Sequence, residues 1–545
     1  MRLLSLFCAA AALAVSPAFA QSSPASGGGG SDKGKSVEDL HKEELAKEAA
    51  IAWQGAPVEE RTVSTRHTAI VDGRTIPYTA TAGTLTIRGD DGKPTGSIFY
   101  TADTVDGVAG SHRPVMFFYN GGPGSASLWL RMGSFGPERV QTVNAQYLKP
   151  APFNFGANPD TLLGSTDLVF IDAPGTGYSR ALGDAKYSDF YGVDQDADAF
   201  ARAIIRYITK FDRWGSPKFL FGESYGTTRS GALAYQLQDR GVALNGVILL
   251  SSIMNYGRGQ PGLDRSYINY IPSFATTAWY HHKMSNAPAT VAEAAAEARA
   301  FAQGPYAAAL EKGQTISKQE EDQVAEQMSA LTGLSPQFIE NADLRVRLSQ
   351  FQKELLRDQR QTVGRYDSRY TGVDTDASGD APDFDASDVA ISGAFIGLLH
   401  NYLENDLGYR TDMPYLPTAL DSDNVHWDFK HRVPGSGYTL NSPDTALDLA
   451  AAMRTNPYLH VLSLNGYYDM ATPFFGTEYD LDHMMLEPAQ QRNLEFRYYP
   501  SGHMVYLNPD ALHLMRLDVQ NFIEQAVGEA ASGYAPAAAP VRRRH

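Results

Sequence analysis

The sequence predicts an α/β protein with a mostly parallel central sheet, helices on both of its faces and a mainly helical cap inserted into it. Short, continuously apolar runs bounded by turn residues ("PVMFFYN", "DLVFID", "KFLFG", "GVILLSS") are the signature of strands buried on both faces. Helical stretches such as 194–214 lie between them, and strands alternating with helices pair in parallel. The rhythm breaks over 257–455 and resumes at "HVLSLNG" (460–466), which marks the insertion.

In chain order, residues 1–20 combine one basic residue, an apolar stretch and small residues at Ala18 and Ala20, the pattern of a cleaved secretory signal, so the expected location is periplasmic or secreted. Cys8, the only cysteine, lies inside that segment behind the bulky Phe7, so a mature chain starting near Gln21 has neither disulfides nor a cysteine nucleophile. Residues 21–36 are a Gly/Ser-rich linker, and 36–53 read as an amphipathic helix capped by Ser36. The first part of the core is expected over 37–256, with an antiparallel sheet at about 62–118. The cap follows over 257–455, with capping boxes at Thr290/Glu293 and Ser317/Glu320 and a helix start at Ser335–Pro336. The core resumes over 456–530 and closes with the helix "DALHLMRLDVQNFIEQAV", and 531–545 form a disordered tail. No repeat of solenoid period is present.

With 43% hydrophobic and 20% charged residues the composition is that of a globular protein, and no apolar run after the N-terminus reaches the roughly 18 residues of a membrane span. A net charge of −16 argues against nucleic acid as partner. The basic run Arg542–Arg544 sits in an Ala/Pro-rich end and reads as solvated tail.

Gly222-Glu223-Ser224-Tyr225-Gly226 fits G-x-S-x-G, in which a sharp strand-to-helix turn lifts a serine hydroxyl above the sheet. Alone the pentapeptide is weak evidence in a chain with 49 glycines, but a strand run precedes it and a helical run follows. A serine needs a base and an orienting carboxylate, in the order Ser, Asp, His. His503 in "YYPSGHMVY" follows a strand-like run, and Asp469 in "LSLNGYYDMATP" follows a buried strand. "FFYNGGPGSAS" (117–127) places a glycine pair after another strand, where backbone N–H groups can meet an oxyanion; read alone, it is equally a hairpin.

"NGGPGSAS", "GESYG", "GYYDMATP" and "GHMVYLNP", in that order, resemble the four signature blocks of the serine carboxypeptidase family, a branch of the α/β-hydrolase fold, over roughly 115–510. The resemblance implies a cofactor- and metal-independent enzyme acting on peptide or protein C-termini: Ser224 as nucleophile, His503 as acid/base and Asp469 as its orienting partner. It implies an oxyanion hole from the N–H groups of Gly122 and Tyr225, and recognition of the terminal carboxylate by Asn120, Gly121 N–H and Glu223. Tyr225 and Met504, beside two of these residues, are candidate subsite walls, with core packing the alternative for Met504.

Two departures bear on this. The family's second glutamate, which shares a proton with the one beside the nucleophile, falls on Ser134; without it Glu223 is expected to ionise more readily and to repel a free C-terminus except at acid pH. Glu138 is the candidate substitute. The family's cysteines are absent, with Ser125 at one of their positions. Within the cap, "GRYDSRYTG" (364–372) resembles a segment of bacterial relatives without a derivable role, and "DTDASGDAPDFD" (374–385) has either the spacing of a calcium loop or that of an acidic solvated loop. The rival functions are an esterase or acyltransferase using the same three residues and a catalytically dead binding protein.

Overall fold

The computed structural model describes residues 56–419 and 426–532. The signal, the linker, the helix at 36–53 and nearly all of the tail lie outside the described residues.

The sheet changes style part-way across. β1 (Thr62–Val71), β2 (Arg74–Arg88) and β3 (Pro94–Val105) run antiparallel, and β1 alternates exposed with partly buried residues, as an edge strand covered on one face does. β4 (Val115–Tyr119), β5 (Asp167–Ile171), β6 (Lys218–Glu223), β7 (Gly246–Leu250), β8 (His460–Gly466) and β9 (Leu494–Tyr499) continue it in the order β1-β2-β3-β5-β4-β6-β7-β8-β9, and the short strand Arg180–Ala181 pairs with β3 off this path. β3 meets β5 antiparallel, and every pair from β5 to β9 is parallel. Each residue of β4 to β8 is buried, which is why these strands read as unbroken apolar runs rather than alternating ones. Strand order reverses between β4 and β6, and the crevice at the carboxyl ends of such a pair is where open α/β sheets bind ligands.

The principal helices are α1 (Leu128–Gly133), α2 (Val193–Lys210), α3 (Tyr225–Asp239), α4 (Arg265–Tyr280), α5 (Val291–Phe301), α6 (Lys318–Thr332), α7 (Leu348–Glu354), α8 (Ser392–Asn401), α9 (Ala446–Thr455), α10 (Phe474–Asp482) and α11 (Pro509–Ser532). One apolar cluster joins a face of the sheet to α1, α8 and α11, and a second joins the other face to α2, α3 and α9. The fold is thus the α/β-hydrolase arrangement, helices on both faces of a mostly parallel sheet.

The cap has its own core, in which α4 to α7 pack around Phe274 and Phe351, stacked 4.0 Å apart. That core reaches the sheet through Met470, Phe474 and Phe475, just after β8, so cap and site loops share a boundary. The box at Thr290/Glu293 is complete, with Glu293 N–H donating to Thr290 Oγ1 at 3.2 Å and Thr290 N–H to Glu293 Oε2 at 2.9 Å. At Ser317 only the serine half forms, because the Glu320 carboxylate pairs with Lys312 instead. Ser335 caps its helix as expected, accepting from Phe338 N–H. Since α9 packs on α3 within the second core cluster, we propose that the insertion ends before Ala446 rather than at 455.

Candidate active site

The strand-to-helix turn after β6 is forced by its glycines. A Cβ on Gly222 would lie 2.2 Å from Gly226 O, and one on Gly226 would lie 2.8 Å from Tyr119 O, so neither position accepts a larger residue without displacing backbone. Between them Ser224 sits at φ 61°, ψ −129°, a conformation that costs a non-glycine residue about 1–3 kcal/mol and persists only where its surroundings impose it. Ser224 N–H donates to Leu250 O on β7 (3.0 Å), and Ser224 O accepts from Thr227 N–H (2.8 Å), which pins the turn to the sheet and to α3. Ser224 is partly exposed, whereas Glu223 and Tyr225 beside it are buried.

The loop after β4 meets this turn. A Cβ on Gly121 would stand 2.4 Å from Tyr225 N and 2.6 Å from Gly226 N, so the two backbones approach as closely as only glycine permits. Gly122 has φ 107°, again a glycine conformation. Tyr225 N–H belongs to the first turn of α3, where helix geometry leaves donors free of an i−4 partner. The Tyr225 ring is buried edge-on to Trp427, at 5.3 Å. Met504, 8% exposed, packs in the apolar core.

Asp469 follows β8 and His503 follows β9. The structure brings them together, His503 Nδ1 donating to Asp469 Oδ2 at 2.8 Å, with both side chains no more than 2% exposed. Asp469 also accepts from the N–H groups of Ala471 (2.8 Å) and Thr472 (2.9 Å) and from Thr472 Oγ1 (2.6 Å). The histidine backbone is held as firmly, its N–H donating to Tyr366 O (2.6 Å) and its carbonyl accepting from Ser251 Oγ (2.6 Å). Burial opposes the charged imidazole, but Asp469, with a smaller contribution from Glu223, outweighs it and holds the His503 pKa above its ordinary value.

Glu223 ends β6, directly before Ser224. Its carboxyl is 1% exposed, and burial raises its pKa to about 7 against the opposing pull of His503, Tyr506 and Asn120. Desolvation thus holds Glu223 above the ordinary carboxylate range without a second carboxylate beside it. Ser134 donates to Leu130 O (2.6 Å) at the end of α1, and Glu138 bears on Tyr78 and Asp103 rather than on Glu223. The hydroxyl that reaches Glu223 Oε2, at 3.0 Å, is that of Tyr506. Tyr506 went unread although it lies three residues past His503 in a block already singled out.

Asn120 is fixed on three sides: Ser127 Oγ accepts from its N–H (3.2 Å), its Oδ1 accepts from Leu130 N–H (3.0 Å) and its carbonyl from Arg229 Nη1 (2.8 Å). Arg229, fully buried on α3, also forms a fork with Asp196 on α2 at 2.7 and 3.2 Å. Removing one partner of such a pair leaves a desolvated charge, so Arg229→Met is expected to cost about 3–5 kcal/mol in chemical denaturation and to loosen Asn120. The conservative Arg229→Lys, which keeps the charge but loses the fork, should cost less.

The acidic loop at 374–385 is tied by the protein's own cations. Lys353 Nζ contacts Asp374 Oδ2 (2.5 Å) and Asp376 O (2.7 Å), Arg357 donates to Ala377 O and Gly379 O, and Asp385 accepts from the N–H groups of Arg365 (3.0 Å) and Tyr366 (3.1 Å). Among the described residues no group of three or more His, Cys, Asp or Glu is arranged to hold a metal ion.

The sequence model of the Peptidase S10 family, serine carboxypeptidase, matches residues 76–506. Among solved structures, the chain is similar to Kex1(delta)p, a prohormone-processing carboxypeptidase from Saccharomyces cerevisiae, at 15% identity and TM-score 0.50, with 83% of this chain and 92% of that one covered. It is also similar to proline iminopeptidase from Mycobacterium smegmatis, at 14% identity and TM-score 0.36, covering 82% of this chain and 99% of that one. The family match runs from β2 to Tyr506 and takes in the glycine loop, the turn at Ser224, Asp469 and His503. The chain therefore belongs to the serine carboxypeptidase family and is a hydrolase of that family.

Proposed function

We propose that the protein removes the C-terminal residue of peptides through an acyl-enzyme formed on Ser224. The observation that carries this is the Asp469–His503 pair, buried and hydrogen-bonded at 2.8 Å, on the loops after β8 and β9 of the sheet that holds Ser224 in its strained turn. Asp469 fixes the tautomer in which Nδ1 carries the proton, leaving Nε2 free to take one from the serine hydroxyl. Ser224 Oγ attacks the scissile carbonyl and its proton passes to His503. The N–H groups of Gly122 and Tyr225 receive the oxyanion. As the C–N bond breaks, His503 returns the proton to the leaving amine. Water, deprotonated by His503, then attacks the ester and releases the shortened peptide and Ser224.

Glu223, Asn120 and Gly121 N–H recognise the departing residue's carboxylate. Protonated Glu223 donates to it; ionised Glu223 repels it. With its pKa near 7, kcat/KM for a blocked dipeptide should fall about tenfold per pH unit above that value, through KM, while the matching C-terminal amide shows no such limb. Glu223→Gln, a permanent donor, is expected to remove the alkaline limb. An amide cleaved as well as the free acid at every pH would instead favour an esterase-like hydrolase. Because residues 1–20 carry a secretory pattern, the same reading places the enzyme outside the cytoplasm, acting on exported or external peptides. No helix among the described residues is long and apolar enough to cross a membrane.

A further inference from the structure

The cap segment "GRYDSRYTG" lies across both loops that bear the acid/base pair. Arg365 O accepts from Met470 N–H (3.1 Å), Ser368 N–H donates to Tyr468 O (3.0 Å), and Tyr366 O accepts from His503 N–H (2.6 Å). Arg369 Nη1 donates to Pro500 O (2.9 Å), and the Tyr366 ring lies 5.1 Å from that of His503. A Cβ on Gly502 would stand 2.4 Å from Asp367 Cβ, so the strap packs flush on the turn before His503.

Arg365 thus stands beside Tyr366, whose ring lies against His503. It is partly buried, and its charge acts on His503, Asp469, Tyr256 and Tyr270. Its guanidinium makes no hydrogen bond or ion pair with the described residues; its one directional contact is the Tyr366 ring, 5.4 Å away. The neighbouring arginines are spent: Arg258 pairs with Asp480 (3.0 Å) and Arg369 with Asp367 (2.5 Å). Nor are nearby carboxylates free, since Asp469 already accepts four hydrogen bonds and Asp385 serves backbone N–H groups of the strap. A planar donor fork without a hydrogen-bond partner among the described residues, against the ring that packs on His503, matches a ligand carboxylate.

We propose that Arg365 is a specificity residue that binds a carboxylate of the substrate peptide. The proposal rests on Ser224 and His503 being the reacting groups. The carboxylate is that of an Asp or Glu side chain on the acyl or the leaving side of the scissile bond, since Asn120, Gly121 and Glu223 take the C-terminal one.

Three substrate pairs separate these sources: blocked dipeptides with Glu or Gln on the acyl side, with Glu or Gln as the leaving residue, and a neutral dipeptide as free acid or amide. The wild type is expected to favour Glu over Gln in one of the first two pairs by about tenfold or more in kcat/KM, through KM, as charged hydrogen bonds do, while the free-acid preference, set by Glu223, serves as the control. Arg365→Met should erase that ratio and Arg365→Lys restore part of it, and the pair affected identifies the source. Fluorophosphonate labelling, which needs no carboxylate, monitors assembly of the site. Unchanged ratios in an Arg365→Met enzyme that still labels overturn the proposal, as does an equal loss on all substrates and in labelling, which marks a structural role. A wild type that neither labels nor cleaves the panel sinks the catalytic reading itself.

Discussion

Ser224→Ala is expected to lower kcat for peptide hydrolysis by about 10⁴–10⁶-fold, the loss seen when a serine nucleophile acting in concert with its base is removed. The fold should survive. Ser224 Oγ takes no part in the bonds that pin the turn, which run through its backbone to Leu250 and Thr227. Alanine keeps the φ of 61° at the same cost, so denaturation midpoints should agree to within about 1 kcal/mol. Ser224→Gly, which adopts that φ freely, should be inactive yet slightly more stable, because on the proposed mechanism the strain serves the chemistry and not the fold.

Asp469→Asn is expected to cost about 10⁴-fold in kcat at neutral pH, more than the loss of one charge in water would suggest. The carboxylate is acceptor-only and is met by donors: Ala471 N–H and Thr472 N–H on Oδ1, Thr472 Oγ1 and His503 Nδ1 on Oδ2. The backbone donors fix the amide oxygen at Oδ1, which turns the amide NH₂ toward His503. The histidine must then accept at Nδ1 and carry its proton on Nε2, facing the serine as a donor instead of a base. Thr472 Oγ1 can still donate to Ser251 O (2.9 Å), so the loop keeps one of its ties. The pH dependence supplies a second check. The Asp469 charge is the main influence holding His503 above its usual pKa, so its removal should move the acid limb of kcat downward, even as the ceiling drops.

What was legible in the sequence follows the range of the forces involved. The strands after the antiparallel edge announced themselves because burial on both faces demands an unbroken apolar run, and Ser224 because its turn tolerates only glycine on either side. The raised pKa of Glu223 is not legible in the sequence. It comes from desolvation by the folded core, partly offset by the hydrogen bond from Tyr506, 283 positions away. The Arg229–Asp196 fork joins two helices whose packing exists only in three dimensions. The acidic stretch at 374–385 has a calcium-like spacing, but spacing says nothing of Lys353 and Arg357, which fold back onto it from more than twenty residues earlier. The Ser317 box failed for a similar reason: Glu320 had a competing partner in Lys312. The strap at 364–372 carried no local signature, since its role lies in backbone bonds to loops a hundred residues downstream.

The most direct test of the central claim is to treat the active, full-length enzyme with a fluorophosphonate and map the adduct by mass spectrometry while following the loss of peptidase activity. One adduct, on the peptide containing Ser224, forming in step with inactivation, slowed strongly in His503→Ala and absent from Ser224→Ala, is the predicted result. Full inactivation with the adduct on another residue, or an active enzyme left unmodified at Ser224, would contradict the account.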